Sequence, residues 1–321
     1  MSILNFGSLN IDFVYEVDHF VRKGETISSR ELRVFPGGKG LNQSIALSRA
    51  GVDVRHAGLI GEDGVFLRDL LAESGVNVSQ VRVSETTRSG NAIIQKDVAG
   101  DNCIILYGGT NRAIDRAFVD EALAGYGEGD WLLLQNEISE LPYIVEQASA
   151  KGMRIVLNPS PADERLLELN LDAVDCFVLN EGEAAWLGGG GADDGEDKSG
   201  MDALRAMSRR FPRADIVLTL GERGALLLRA GLGRDGCGEI IRQEAYRVPT
   251  VDTTAAGDTF TGYLLAGLMQ GRPASEALDM AAKASAIAVS RPGAAPSIPT
   301  LAEVEAFAVP TSAGVTAVPA A

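Results

Sequence analysis

Histidine and cysteine are nearly missing: His19, His56, Cys103, Cys176 and Cys237 are all that 321 residues supply. The cysteines are odd in number, widely separated and form no CxxC pair, which argues against a disulfide framework and against a zinc site. A reducing compartment suits them. Aromatic residues are sparse at 6%. Basic residues number 29 against 44 acidic ones, a formal net charge of −15. That balance speaks against nucleic acid or an anionic membrane as partner. It also leaves any anionic ligand to be met by local groups. No apolar run approaches the roughly 18 residues of a membrane span. The chain opens directly into Ser2-Ile3-Leu4-Asn5-Phe6-Gly7 without the basic segment and apolar stretch of a secretion signal. A cytoplasmic protein is expected.

What is abundant is glycine, 37 residues, set into an alternation of strand-like and helix-like segments. Short β-rich runs at 3–7, 54–60, 131–135, 153–157, 174–179 and 214–219 are separated by helical stretches near 40–50, 64–73, 115–124, 140–150, 181–187 and 201–210. Runs such as Trp131-Leu132-Leu133-Leu134 and Ile216-Val217-Leu218 are apolar throughout, as strands covered on both faces must be. The order predicts one α/β domain over 1–308, with a doubly wound, mainly parallel sheet between helices. Two regions, 12–36 and 88–107, read as strands without helices and predict an inserted β-sheet lid over one end of the sheet. The 188–200 stretch is an acidic, glycine-rich loop whose charge rules out a phosphate cradle. Residues 309–321 read as a disordered tail.

The strongest chemical signal is Val251-Asp252-Thr253-Thr254-Ala255-Ala256-Gly257-Asp258-Thr259-Phe260, followed by a helix with apolar Phe260, Tyr263, Leu264, Leu268 and Met269. Ala255, Ala256 and Gly257 thus fall at a helix N-terminus, where unpaired amides and the dipole favour an anion. Asp258 lies in the first turn. A carboxylate beside amides aimed at a phosphate is what phosphoryl transfer needs. Taken alone, Asp252 and Asp258 read equally well as helix-capping acids. Earlier in the chain stands Phe35-Pro36-Gly37-Gly38-Lys39-Gly40-Leu41-Asn42-Gln43. It is not a Walker A loop, because no Lys-Ser/Thr pair follows a GxxxxG run.

Together these two segments resemble the ribokinase (PfkB-type) carbohydrate kinase family. Further matching pieces follow in the same order: Gly7-Ser8-Leu9-Asn10-Ile11-Asp12, Gln135-Asn136-Glu137, Leu157-Asn158-Pro159, Asn180-Glu181-Gly182-Glu183, Thr219-Leu220-Gly221-Glu222-Arg223-Gly224 and Arg291-Pro292-Gly293-Ala294-Ala295-Pro296-Ser297. The likeness spans roughly residues 3 to 307; each short piece is weak, and the ordered set is specific. It implies a ribokinase-like three-layer sandwich and an ATP-dependent kinase for a sugar, with Asp258 as general base and 255–258 as anion hole. Asn10, Asp12, Gly38, Lys39, Gly40, Asn42, Glu137 and Asp258 would hold the sugar. Asn180, Thr219, Gly221, Gly224, Gly257 and Ala282 would face ATP, with Ile287 beside Ala282 in the same small-residue helix. Glu183 would organise Mg²⁺ through water. Asp252, Thr254, Ala288, Arg291, Gly293 and Ser297 match positions around a monovalent cation, K⁺; a structural Arg291–Asp252 pair is the alternative. The likeness also implies a homodimer through the lid.

Family members often have glycine where this chain has Ala255, and alanine there points to the ribokinase subgroup. Tyr107 is the sole aromatic residue of 88–107. With Asn91, Ile93 and Ile105 taken as facing inward, a small sugar such as ribose is favoured over a nucleoside, leaving fructose or a sugar acid as further acceptors. A non-catalytic sugar sensor on this fold would be expected to have lost Asp258 or Gly257, and both are present.

Overall fold

The protein is described from a computed structural model covering residues 1–189, 199–231, 238–308 and 315–318. In chain order the first half comprises β1 (Ile3–Phe6), β2 (Asn10–Glu16), β3 (Glu31–Gly37), α1 (Lys39–Arg49), β4 (Val54–Gly61), α2 (Val65–Glu73), β5 (Asn77–Ser84), β6 (Gly90–Lys96) and β7 (Asn102–Tyr107). Then follow α3 (Arg116–Leu123), β8 (Trp131–Gln135), α4 (Leu141–Ala150), β9 (Arg154–Asn158), β10 (Cys176–Asn180), α5 (Glu181–Gly188) and α6 (Met201–Arg210). The last third holds β11 (Asp215–Thr219), β12 (Ala225–Arg229), β13 (Glu239–Gln243), α7 (Ala256–Met269), α8 (Ala274–Val289), α9 (Leu301–Glu305) and β14 (Val315–Val318).

Among the described residues the main sheet has 10 strands in the order β14-β13-β12-β11-β10-β9-β8-β1-β4-β5. From β5 to β11 every pairing is parallel; β12, β13 and β14 add an antiparallel edge. Successive side chains of a strand point to opposite faces, so each central strand feeds two cores. Leu4, Phe6, Leu132, Leu134, Phe177 and Leu179 pack on the face covered by α3, α4, α5 and α6. Ile3, Leu133, Val156, Val178 and Val217 pack on the face of α1, α2, α7 and α8. This is the expected doubly wound sandwich.

The 12–36 and 88–107 regions form a separate four-stranded sheet, order β3-β2-β6-β7. Its register corrects one expectation. Asp12 stands opposite Phe35 and Ala92, and Ala92 opposite Leu106, so these share a face. Ile93 pairs with Phe13 and Ile105, and Asn91 with Ile11 and Tyr107. Asn91, Ile93 and Ile105 therefore lie on the face opposite Asp12, not towards a ligand that Asp12 would bind.

A second correction concerns the tail. Residues 315–318, expected to be disordered, form β14 and pair antiparallel with β13. The sequence there, Val-Thr-Ala-Val, is β-prone, and β13 would otherwise be an open edge. The remainder of 309–321 and most of the acidic loop, 190–198, lie outside the described residues, as does Cys237.

Candidate active site

The parallel strands bring their carboxyl ends to one rim, where open α/β sheets place ligands. Ser8 follows β1, Glu137 follows β8, Asn158 ends β9, Asn180 ends β10 and Thr219 ends β11 beside Asn180. Helix α1 begins at this rim on Gly38, whose φ of 97° suits glycine. Its first amides are already spoken for. Lys39 N donates to Glu137 Oε2 at 3.2 Å, Gly40 N to Ser8 Oγ at 3.2 Å, and Leu41 N to the Ser8 carbonyl at 3.0 Å. Ser8 Oγ also donates to Glu137 Oε2. These bonds fix α1 against the β1–β2 turn and against Glu137.

Helix α7 lies directly against α1, close enough that a methyl at Gly262 would meet Ala46 Cβ at 2.4 Å. The contact carries Asp258 to α1. Asn42 Nδ2 donates to Asp258 Oδ2 at 2.9 Å, and Gln43 Nε2 donates to Asp258 Oδ1 at 2.9 Å. Asp258 is 7% exposed. The glycine-rich segment and the Asp258 segment, far apart in sequence, thus meet in direct hydrogen bonds. Asn42 Oδ1 is buried and has no partner among the described residues, which leaves an acceptor open to a donor.

The start of α7 is built differently from the expectation in one respect. Ala256 N donates to the Thr253 carbonyl at 3.2 Å, so the row of open amides is broken there. Among the described residues the amides of Ala255, Gly257 and Asp258 have no protein acceptor; the first α7 bond runs from Thr259 N to Ala255 O at 2.8 Å. The space before Gly257 is open, and a methyl group placed there would meet nothing within 4 Å. Ala255 takes a left-handed conformation, φ 61°, which ends the loop and turns the chain into the helix.

Asn10 and Asp12 of β2 complete one wall. Asn111 Nδ2 donates to Asn10 Oδ1 at 2.7 Å while its own Oδ1 accepts from Leu9 N at 3.1 Å. Asn10 is thereby left with its amide donors for a ligand. Asp12 tucks against Gly37, where a methyl would come within 2.1 Å of Asp12 Oδ2. Burial, with the Glu137 charge second, pushes the Asp12 carboxyl up to about 7. For Lys39, burial favours the neutral amine, but Asp258, Glu137 and Glu183 together outweigh it and hold the ammonium charged.

At β10, Asn180 Oδ1 accepts from Glu183 N at 2.9 Å and Glu183 Oε2 accepts from Asn180 N at 3.0 Å, a reciprocal cap on α5. This occupies one oxygen of the buried Glu183; Oε1 has no protein partner among the described residues. Gly221 and Gly224 form the turn between β11 and β12, and Gly224 lies where a methyl would strike the Gln243 carbonyl at 1.9 Å. Ala282 of α8 packs with Ala286 and Tyr246, whereas Ile287 belongs to the main core.

The Asp252 and Gly293 loops are tied together. Asp252 Oδ1 accepts from Thr254 N at 2.9 Å and Thr254 Oγ1 at 2.6 Å, and Oδ2 accepts from Gly293 N at 3.0 Å. Despite partial burial, which opposes it, these donors hold the Asp252 carboxyl below the usual range. Arg291 does not pair with Asp252; its guanidinium bonds Glu303 at 2.6 Å. Ser297 is buried, its Oγ donating to the Ala294 carbonyl at 2.8 Å, and the Ala288 carbonyl accepts from Arg291 N at 3.1 Å.

Residue type alone singles out neither Gln43 nor Asn111, although both fix site groups. The available signal is position, since Gln43 directly follows Asn42.

Comparison with known proteins bears on this rim. The pattern of the pfkB family carbohydrate kinase matches residues 2–301. A ribokinase of Schizosaccharomyces pombe is 35% identical over 319 residues, covering 95% of this chain and 97% of that one. The crystal structure of ribokinase from Cryptococcus neoformans in complex with ADP aligns with a TM-score of 0.81 at 33% identity, over 95% of this chain and 99% of that one. Arabidopsis thaliana ribokinase complexed with ribose and ATP aligns with a TM-score of 0.81 at 27% identity, over 95% and 97%.

Proposed function

The chain belongs to the pfkB family of carbohydrate kinases, and from that membership we propose that it transfers the γ-phosphoryl group of ATP to the primary 5-hydroxyl of D-ribose, giving ribose 5-phosphate. One observation carries the reading at the level of chemistry. A buried carboxylate, Asp258, is fixed at 2.9 Å from Asn42 and Gln43 in the first turn of a helix where, among the described residues, the amides of Ala255, Gly257 and Asp258 have no protein acceptor.

The sugar lies between the lid and α1. Asp12 and Glu137 accept from its hydroxyls, Asn10 donates, Asn42 Oδ1 accepts, and the Gly38–Gly40 backbone closes the site. The γ-phosphate rests at the amides of Ala255, Gly257 and Asp258. Asp258 orients the 5-hydroxyl and takes its proton. The hydroxyl oxygen bonds to the γ-phosphorus while the bridging P–O bond breaks and leaves ADP. The transition state is loose, so proton removal comes late and positioning outweighs base strength. Lys39, held charged among carboxylates, meets the negative charge of the transferring group.

Asn180, Thr219, Gly221, Gly224 and Ala282 line the nucleotide side. The free oxygen of Glu183 fits a hydrated Mg²⁺, which when bound neutralises phosphate charge. The tied loops of Asp252, Thr254, Ala288, Arg291, Gly293 and Ser297 offer carbonyl and carboxylate oxygens suited to K⁺. A cytoplasmic setting agrees with Cys103 and Cys176 standing as free thiols.

The test is a panel of ribose, deoxyribose, fructose, sugar acids and nucleosides with ADP release coupled to detection. Ribose should give the highest kcat/KM, and phosphorus NMR should find the phosphate on the 5-oxygen. A clear preference for another acceptor would overturn the ribose assignment and leave the kinase assignment standing. Sugar binding by calorimetry without ADP release from any acceptor would revive a sensor.

A further inference from the structure

Behind Asp258 runs a continuous chain of uncharged polar side chains. Gln43 Nε2 donates to Asp258 Oδ1 at 2.9 Å and to Asn158 Oδ1 at 3.2 Å. Gln43 Oε1 accepts from Gln135 Nε2 at 2.7 Å, and the same Gln135 nitrogen donates to Asn5 Oδ1 at 3.0 Å. Asn5 Nδ2 in turn donates to the Gly40 carbonyl and to Ser44 Oγ, each at 2.8 Å. Gln43, Gln135 and Asn5 are each 0% exposed.

The direction of every bond is set by groups that cannot reverse. Asp258 as carboxylate only accepts, and so does the Gly40 carbonyl. Asn158 presents its oxygen because its Nδ2 is engaged by the Val178 carbonyl at 2.7 Å. Turning the Gln43 amide over would place its oxygen against two acceptors and its NH₂ against the Gln135 NH₂. Both hydrogens of Gln43 and both of Gln135 are used, so neither amide has a second comfortable orientation.

We infer that Gln43 is a positioning residue for phosphoryl transfer, holding the Asp258 carboxylate plane through a neutral donor, with Gln135 locking Gln43. This rests on the reading of Asp258 as the base. A neutral amide orients a carboxylate without setting a full positive charge beside it, so the geometry is imposed while the oxygen stays free to take a proton. The alternative is that the chain of amides merely fastens α1 to the sheet.

The experiment uses the full-length protein carrying Gln43→Met, Gln43→Glu, Gln135→Met or Leu47→Ala, with Asp258→Asn alongside. Methionine keeps the unbranched shape of glutamine and removes the donor. Gln43→Met should lose roughly 10- to 100-fold in kcat, as expected for misplacing a catalytic group, while KM for ribose and ATP stays within about threefold. Gln43→Glu should lose more, because it sets a carboxylate against a carboxylate. Gln135→Met, which touches neither Asp258 nor substrate, should lose less, and again in kcat. Leu47→Ala, buried in the same helix and outside the chain of amides, should lower the melting temperature and leave kcat within about twofold. Should the Gln43 variants keep kcat, or should all variants lose kcat in proportion to melting temperature, Gln43 is structural only. Should Gln43→Met fail to fold, Gln135→Met decides by the same split. If Asp258→Asn itself keeps normal turnover, the base assignment fails instead, which is a separate result.

Discussion

Asp12 illustrates how a single side chain can report the state of a site. Its carboxyl sits at about 7 mainly through burial, with Glu137 adding like charge, so near neutrality much of the protein carries a proton there before sugar binds. A sugar hydroxyl donates to the ionised form. Sugar binding should therefore release a proton, and KM for ribose should fall as pH rises from about 6 to 8; titration calorimetry in buffers of different ionisation enthalpy would read the proton directly. Asp12→Asn should flatten that dependence and raise KM about 10- to 100-fold, the scale of a lost hydrogen bond to a charged group. The linkage to folding has the opposite sense. A value raised above the ordinary 3.8 stabilises the fold fully below that pH, and the contribution is lost as pH rises through about 7. Little of this is legible in the sequence, because an Asp two residues after Asn10 in a β-strand says nothing of what will stand opposite it.

At the scale of the element, the entry into α7 combines a strained residue with an open one. Ala255 holds φ 61°, a conformation that costs a side chain-bearing residue about 1–2 kcal/mol. Ala255→Gly relieves that, partly offset by the greater freedom of glycine in the unfolded chain. The net effect should be a gain of at most about 1 kcal/mol in denaturant unfolding, with kcat little changed. Gly257→Ala should do the reverse. A methyl there meets no protein atom within 4 Å, so the melting temperature should hold while KM for ATP and kcat worsen by about 10-fold or more. Equal damage to stability and turnover would remove Gly257 from the anion site. Sequence position correctly announces this helix start, since small residues followed by Asp and an apolar period mark it. That Ala256 spends its amide on Thr253 depends on loop dihedrals, which local sequence does not fix. The strands β12 and β13 escape a sequence reading for a related reason: a short leucine run such as 226–228 has no periodicity to separate strand from helix.

For the whole molecule, the parallel sheet and its two helical layers are legible because continuous apolar strands alternate with amphipathic helices over most of the chain. The lid is legible as strands, but not its facing, since a one-residue register difference exchanges the two faces. The observed register gathers Val34, Ile93 and Ile105 on the face opposite Asp12, exposed by 51%, 39% and 62%. The homodimer implied by the family resemblance can be tested there: light scattering should find a dimer that Ile105→Lys converts to monomer, and a monomeric parent protein would end that expectation. Two sequence segments, one at α1 and one at α7, are brought by this architecture to a single carboxylate. The most direct measurement is steady-state turnover of ribose and ATP by Asp258→Asn, with binding of each substrate followed by calorimetry. A role for Asp258 as the base requires affinities within a few-fold of the parent and a loss of about three orders of magnitude or more in kcat. Turnover near that of the parent, with binding intact, would contradict it.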